Sequence, residues 1–117
     1  MTANKNMQED IIKFQQLQQQ LQALMVQKQT IQSQISEIEN ALTELDTYKD
    51  DKVFEVIGNV MIKKDKNNII LSLKDKKELL NLRVSTIDKQ IEKLNENSKK
   101  LQEKFSTYVD TNDKNKV

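Results

Sequence analysis

Few side chains in this sequence have the chemistry of an enzyme active site. His and Cys are absent, which excludes zinc fingers, disulfides, thiol catalysis and serine–histidine nucleophiles. The sequence contains no glycine-rich phosphate loop, and its acidic residues are scattered as on a solvated coiled-coil surface. We therefore expect no catalytic residue, no cofactor and no metal site, which makes an enzyme the poorest functional hypothesis.

The residues left to carry a function are apolar, and they concentrate in two places. One is a central β-rich run, and the other is the pair of chain ends that a fold-back at the centre would bring together. Apolar side chains that a thin fold cannot bury form adhesive surfaces for other polypeptides. The central set is Val53, Phe54, Val56, Ile57, Gly58, Asn59, Val60, Met61 and Ile62, and the terminal set is Met7, Ile11, Ile12, Phe14, Leu17, Leu101, Phe105, Tyr108 and Val109.

The composition predicts long helices rather than a compact core. The 117 residues are 36% hydrophobic and 4% aromatic, with a single Gly and no Pro. A sandwich or an α/β fold needs many turns, and turns need Gly and Pro.

No apolar run approaches the roughly 20 residues of a membrane span, and no secretory signal is apparent, so we expect a cytoplasmic protein without membrane contact.

Two heptad patterns flank the central run. From Leu17 to Leu45 the apolar spacing alternates between 4 and 3, and the same alternation runs from Leu73 to Tyr108. This spacing is typical of a coiled-coil seam. Ile11, Phe14 and Leu17 follow one another in two steps of 3, which predicts a stammer near the start of the first helix.

The expected elements form a single domain over residues 1–117. Helices are predicted at about 7–46 and 72–109, a hairpin at about 53–63, and a disordered tail at about 110–117. Asn6 with Glu9 resembles a capping box for the first helix. Ser72 or, alternatively, Asn68 is expected to cap the second helix.

Gly58-Asn59 between two β-rich runs predicts a tight turn, because Gly supplies the positive φ that a two-residue hairpin loop requires. A fold-back at this point aligns the two heptad patterns as an antiparallel coiled coil, in which Leu17 meets Leu101 and Phe14 meets Phe105. Residues 1–58 carry 5 Lys and 9 acidic residues, a net charge of −4, and residues 59–117 carry +5, which favours the same pairing.

Polar residues interrupt both heptad patterns. These interruptions are Lys28, Lys77 and Ser98. We interpret them as snorkelling side chains that control register rather than as a binding site. The lysines of the second half alternate with acids and lack interleaved aromatic residues, so nucleic-acid binding is not expected.

The hairpin is predicted to be apolar on both faces. Val53, Ile57, Val60 and Ile62 would share one face, with Phe54, Val56 and Met61 on the other. An isolated hairpin of this kind is marginally stable and has open edges, which predicts obligate oligomerisation through residues 53–63. The alternative is a hairpin that simply folds onto the helix pair.

At the chain ends Ile12 and Val109 lie off the seam, which makes them the better candidates for an exposed contact surface.

These features resemble the β-type subunits of the prefoldin family from about Met7 to Val109. The matching segments are the glutamine-rich helix at 14–20 with 26–30, the hairpin at 58–62, and Leu80-Asn81-Leu82-Arg83 with Thr86-Ile87 and Lys89-Gln90. One central hairpin between arms of equal length is more specific than the glutamine runs, and α-type subunits have two hairpins.

The resemblance implies a mostly α fold: a long antiparallel two-helix coiled coil joined by one central β-hairpin, which assembles with other subunits into a β-barrel platform. It further implies a hexamer with two α-type and four β-type subunits, an ATP-independent co-chaperone. Such a hexamer captures non-native polypeptides at coiled-coil tips and delivers them to a group II chaperonin. The alternative, from another class, is a structural coiled-coil scaffold that binds one folded partner.

Overall fold

One β-hairpin connects two long helices. The structure, a computed structural model, describes the backbone of residues 2–114 and the side chains of residues 5–109. The element order is α1 (Thr2–Thr47), β1 (Lys52–Ile57), β2 (Val60–Asp65) and α2 (Lys66–Lys114). The only Gly lies in the hairpin turn and Pro is absent, so nothing interrupts either helix. The predicted mostly α fold with one central antiparallel hairpin is confirmed. Within the described residues, neither helix is apolar enough over a sufficient length to cross a membrane.

The helix bounds differ from the predicted ones. Because α1 begins at Thr2, Asn6 lies inside the helix and does not cap it. α2 begins at Lys66, directly after the last residue of β2, so neither Ser72 nor Asn68 is its cap. The β-ladder extends to Asp65, where we expected it to end at 63, and the helix follows without a linker. α2 continues to Lys114 where a disordered tail was expected from 110, and residues 115–117 lie outside the described part of the chain.

The chain divides into two compact units. The first contains residues 1–28 and 86–117, and the second contains residues 29–85. In each unit a segment of α1 packs against a segment of α2, and the residue contacts run in opposite directions along the two helices. In the first unit Phe14 meets Phe105 and Lys28 meets Asp88. In the second unit Glu39 meets Lys77, and Leu45 and Leu73 line the same cavity. The helix pairing is therefore antiparallel in both units.

Burial in the first unit follows an unbroken heptad on both helices. The least exposed residues on α1 are Met7, Asp10, Phe14, Leu17, Leu21, Leu24 and Lys28, and those on α2 are Ile87, Ile91, Leu94, Ser98, Leu101, Phe105 and Tyr108. Every step along both sets is 3 or 4 in strict alternation. On α2 these are the predicted seam positions, so that part of the prediction is confirmed.

The predicted stammer near the start of α1 is wrong. Asp10 takes the seam position that was assigned to Ile11, and it is 6% exposed whereas Ile11 is 38% exposed. Continuing the alternation backwards from Phe14 requires residue 10, because two successive steps of 3 would overwind the helix. Supercoil continuity therefore favours Asp10 at this position and opposes the greater hydrophobicity of Ile11.

In the second unit the hairpin connects the end of α1 to the start of α2. Its register is Lys52 opposite Asp65 through to Ile57 opposite Val60, as predicted from the turn position. Gly58 has a φ of 61° and Asn59 does not have a positive φ, which is the pattern of a type II′ turn. The backbone N–H of Lys66 donates to the carbonyl oxygen of Asp51 at 2.8 Å, which ties the start of α2 to the segment that precedes β1.

Candidate functional site

The hairpin presents one largely apolar face to solvent. On this face Phe54 is 59% exposed, and Val56 and Met61, which lie directly opposite each other on the two strands, are 66% and 65% exposed. Side chains alternate between the two faces of a strand, so Val53, Glu55 and Lys64 lie on the other face, and all three are half-buried. Ile57, Val60 and Ile62 also lie on this second face and are exposed, so apolar side chains reach solvent on both faces, as predicted. We call the exposed apolar residues of the two faces together the hairpin surface; it contains Phe54, Val56, Ile57, Val60, Met61 and Ile62.

The more buried face of the hairpin lies over a cavity shared with the helices of the second unit. The cavity has a volume of about 420 Å³. Its apolar lining includes Leu45 of α1, Val53 of β1, and Ile69 and Leu73 of α2. The helices therefore shield this face only loosely, and they leave the opposite face uncovered.

Ion pairs support the hairpin away from its turn. Lys52 pairs with Asp65, the residue directly opposite it on the other strand, and Lys64 pairs with Glu55. The Lys66 ammonium group donates to the carbonyl oxygen of Tyr48. These partly exposed contacts each contribute little to stability, but they hold the strand ends in register while the apolar residues near the turn face solvent.

A second apolar surface lies in the first unit, where the beginning of α1 meets the last part of α2. Phe14 and Phe105 pack edge to face, with ring centroids 5.6 Å apart and an interplanar angle of 76°. Both rings are half-buried, whereas Ile12 and Val109 are each 55% exposed. We call this set the terminal cluster; it contains Ile11, Ile12, Phe14, Phe105, Tyr108 and Val109.

A hydrogen bond joins Tyr108 of the terminal cluster to Asp10, a seam residue of α1 outside the cluster. The Tyr108 hydroxyl donates to Oδ2 of Asp10 at 3.0 Å. This hydrogen bond raises the pKa of Tyr108 above its ordinary value, and loss of hydration and the charge of Asp10 act in the same direction. Sequence reasoning overlooked Asp10, although continuation of the 4–3 alternation backwards from Phe14 would have identified it.

The other predicted residues of the terminal set take structural positions. Met7 and Leu17 are half-buried and Leu101 is buried, so all three belong to the seam of the first unit. Ile12 and Val109, which the sequence placed off the seam, are exposed as expected. The predicted set therefore divides into seam residues that support the surface and a smaller group that solvent can reach.

The polar seam residues make side-chain contacts between the helices. The ammonium group of Lys28 lies 2.6 Å from a carboxylate oxygen of Asp88, and that of Lys77 lies 3.3 Å from a carboxylate oxygen of Glu39. Ser98 is buried and accepts a hydrogen bond from Gln18 at 3.2 Å. These contacts join the two helices within each unit, and the role in register control stays a prediction.

Several further exposed apolar side chains lie outside the predicted site residues; one of them, Leu71, was expected to help cover the hairpin and is itself 61% exposed. They occupy non-seam heptad positions of the helices or the segment before β1, and they are Met25, Val26, Tyr48, Leu71, Leu79 and Leu82. Their position outside the 4–3 alternation was the available signal. They provide reference positions for comparison with the two surfaces defined above.

Comparison with known proteins agrees with this architecture. A family described as prefoldin subunit matches residues 8–112. The chain is 36% identical to prefoldin subunit beta of Archaeoglobus fulgidus, over 85% of this chain and 86% of the relative. It is 38% identical to prefoldin subunit beta of Saccharolobus islandicus, over 87% of this chain and 82% of the relative. The crystal structure of the prefoldin beta subunit from Thermococcus strain KS-1 superimposes with a TM-score of 0.82 at 32% identity, covering 88% of this chain and 91% of that chain.

Proposed function

Because this chain belongs to the prefoldin family of co-chaperones, we propose that it is a β-type subunit that holds unfolded polypeptides without ATP and delivers them to a group II chaperonin. The observation that carries the proposal is the presence of two exposed apolar surfaces on one small chain. The hairpin surface suits permanent assembly, because it belongs to a β-sheet with unpaired edges. The terminal cluster suits transient contact, because it offers a few apolar side chains above a packed seam.

The hairpin surface is the proposed assembly site. Unpaired strand edges and an apolar face favour addition of further strands, and a closed barrel removes edges altogether. Hairpins from neighbouring subunits would cover Phe54, Val56 and Met61, which the chain alone leaves exposed. The proposed assembly is a hexamer of two α-type and four β-type subunits around a β-barrel platform, located in the cytoplasm.

The terminal cluster is the proposed site for unfolded polypeptides. Burial of one exposed aliphatic side chain contributes about 1 to 2 kcal/mol. One cluster therefore binds a client weakly, and several clusters acting together bind it through avidity. Weak individual contacts also allow transfer to a chaperonin without nucleotide hydrolysis, because each contact can release separately.

The test measures how well the assembled complex prevents aggregation of several unrelated, chemically unfolded proteins. The double variant Ile12→Ser, Val109→Ser should suppress aggregation several-fold less than the wild type, because each subunit loses two apolar contacts. Met25→Ser is the matched control, since Met25 is an exposed apolar residue of the first unit outside the terminal cluster. Native mass spectrometry verifies that all three complexes have the same mass.

Two results would contradict the proposal. Equal suppression by the double variant and the wild type would remove the terminal cluster as the client site. Stoichiometric binding of a single folded partner, with no suppression for any unfolded protein, would favour the scaffold alternative.

A further inference from the structure

Asp10 occupies an unusual position for a carboxylate. It is almost fully buried, and its seam neighbours on α1 are Met7 and Phe14. A buried carboxylate is costly unless hydrogen bonds compensate for lost water, and here the Tyr108 hydroxyl donates one at 3.0 Å. An apolar residue, Ile11, lies next to Asp10 in the sequence and would take the seam position if α1 turned about its axis by about 100° at this level.

At this level α1 could adopt either of two rotations about its own axis, which we call phases. The two phases exclude each other. Adjacent residues of an α-helix point about 100° apart, so either Asp10 or Ile11 can face α2, but not both. With Asp10 in the seam, Ile11 points to the side and Ile12 points away from α2. With Ile11 in the seam, Asp10 would return to solvent, and both Ile11 and Ile12 would turn towards α2.

We infer that the hydrogen bond between Tyr108 and Asp10 selects the first phase, and so makes Asp10 a positioning residue that turns Ile11 and Ile12 outward. Supercoil continuity also favours this phase, but continuity alone leaves a carboxylate buried without compensation. Tyr108 supplies that compensation from the facing helix. The importance of this phase for client holding rests on the proposed function, whereas the phase itself can be measured independently.

The experiment uses the assembled complex with labelled Ile δ1 methyl groups and a soluble paramagnetic agent, whose relaxation effect reports the exposure of each methyl. Tyr108→Phe removes the hydroxyl and keeps the ring. In this variant we expect the paramagnetic relaxation effect on the Ile11 methyl to fall from its wild-type value to the value measured for the half-buried Ile91. Simple loosening of the helix ends would instead raise the effect at Ile11, so the direction of the change separates the two explanations.

Two further variants test the role of Asp10. Asp10→Asn keeps an oxygen that can accept the hydrogen bond, so Ile11 should remain exposed. In the double variant Asp10→Leu, Tyr108→Phe the seam position becomes apolar, so Ile11 should be as exposed as in the wild type.

An unchanged or increased effect at Ile11 in Tyr108→Phe would overturn the inference, as would a decrease in the double variant. The aggregation assay is then run on the same complexes. If the exposure of Ile11 falls in Tyr108→Phe and aggregation suppression does not, the positioning role stands and the client-holding role of Ile11 fails.

Discussion

Phe14 of α1 and Phe105 of α2 form an edge-to-face pair, with ring centroids 5.6 Å apart, at one level of the first unit. Such pairs contribute about 0.5 to 1.5 kcal/mol beyond the area that they bury. Both rings occupy seam positions, and both also belong to the terminal cluster. The pair therefore links the packing of the helix ends to the surface proposed to hold clients.

Alanine variants of this pair should show strong coupling. Phe14→Ala and Phe105→Ala should each lower the free energy of unfolding by about 1 to 3 kcal/mol, less than a fully buried Phe would cost, because both rings are half-buried. The double variant should cost less than the sum by about 0.5 to 1.5 kcal/mol. Urea unfolding followed by circular dichroism measures this. Purely additive losses would show that the rings stabilise the helices independently.

Replacing apolar residues of the hairpin surface by charges should prevent assembly. In the double variant Val56→Lys, Met61→Glu the new charges face each other across the strands, so they can pair and preserve the hairpin. Loss of two apolar contacts at about 1.5 kcal/mol each should weaken association by about 100-fold or more. Native mass spectrometry with an α-type partner measures the loss.

Leu79→Glu is the control for this variant, because Leu79 is 64% exposed in the same unit but lies on α2. It should leave the mass of the complex unchanged. A complex that survives the hairpin substitutions and dissociates with Leu79→Glu would assign assembly to the helices instead.

Filling the polar seam position at Ser98 should stabilise the first unit. Two open surface grooves lie beside this level, one of about 480 Å³ beside Leu24 and Leu94 and one of about 420 Å³ beside Leu17 and Leu101, and Asn97 rather than Ser98 lines both. Ser98→Leu should raise the free energy of unfolding by about 1 kcal/mol, because it adds apolar contacts while the exposed Gln18 amide can bond to water.

The matched control for Ser98→Leu is Ser106→Leu, which changes an exposed serine on the same helix. Its thermal midpoint should stay close to that of the wild type. A lower midpoint for Ser98→Leu would mean that the seam at this level has no room for a larger side chain.

Tyr108 should ionise at a higher pH than free tyrosine, whose pKa is about 10. In Tyr48→Phe, Tyr108 is the only tyrosine, so the ultraviolet absorbance of tyrosinate reports it alone. Since the pKa is raised in the folded state, this contact contributes its full stability below pH 10 and loses it as the pH rises through the folded pKa. Adding Asp10→Ala should lower the midpoint, because it removes both the acceptor and the charge.

The sequence was sufficient for features that depend on repeated spacing. The seam of α2 and the hairpin register followed from the 4–3 alternation and from the position of Gly58. Ile11 was misplaced because hydropathy favoured it over Asp10, and the compensating hydrogen bond comes from Tyr108, a residue 98 positions away. The exposure of Ile12 and Val109 was predicted from their heptad positions. Whether these residues contact clients depends on partners that the sequence does not contain.

The two ends of the hairpin connect to the helices in different ways. Four residues, 48–51, separate α1 from β1, whereas α2 starts at the residue that follows β2. One residue inserted between Asp65 and Lys66 would turn the following helix by about 100° and carry its apolar stripe away from α1. An insertion within 48–51 changes only a connection that is already irregular. Natural length variation in such chains is therefore expected before the first strand and not after the second.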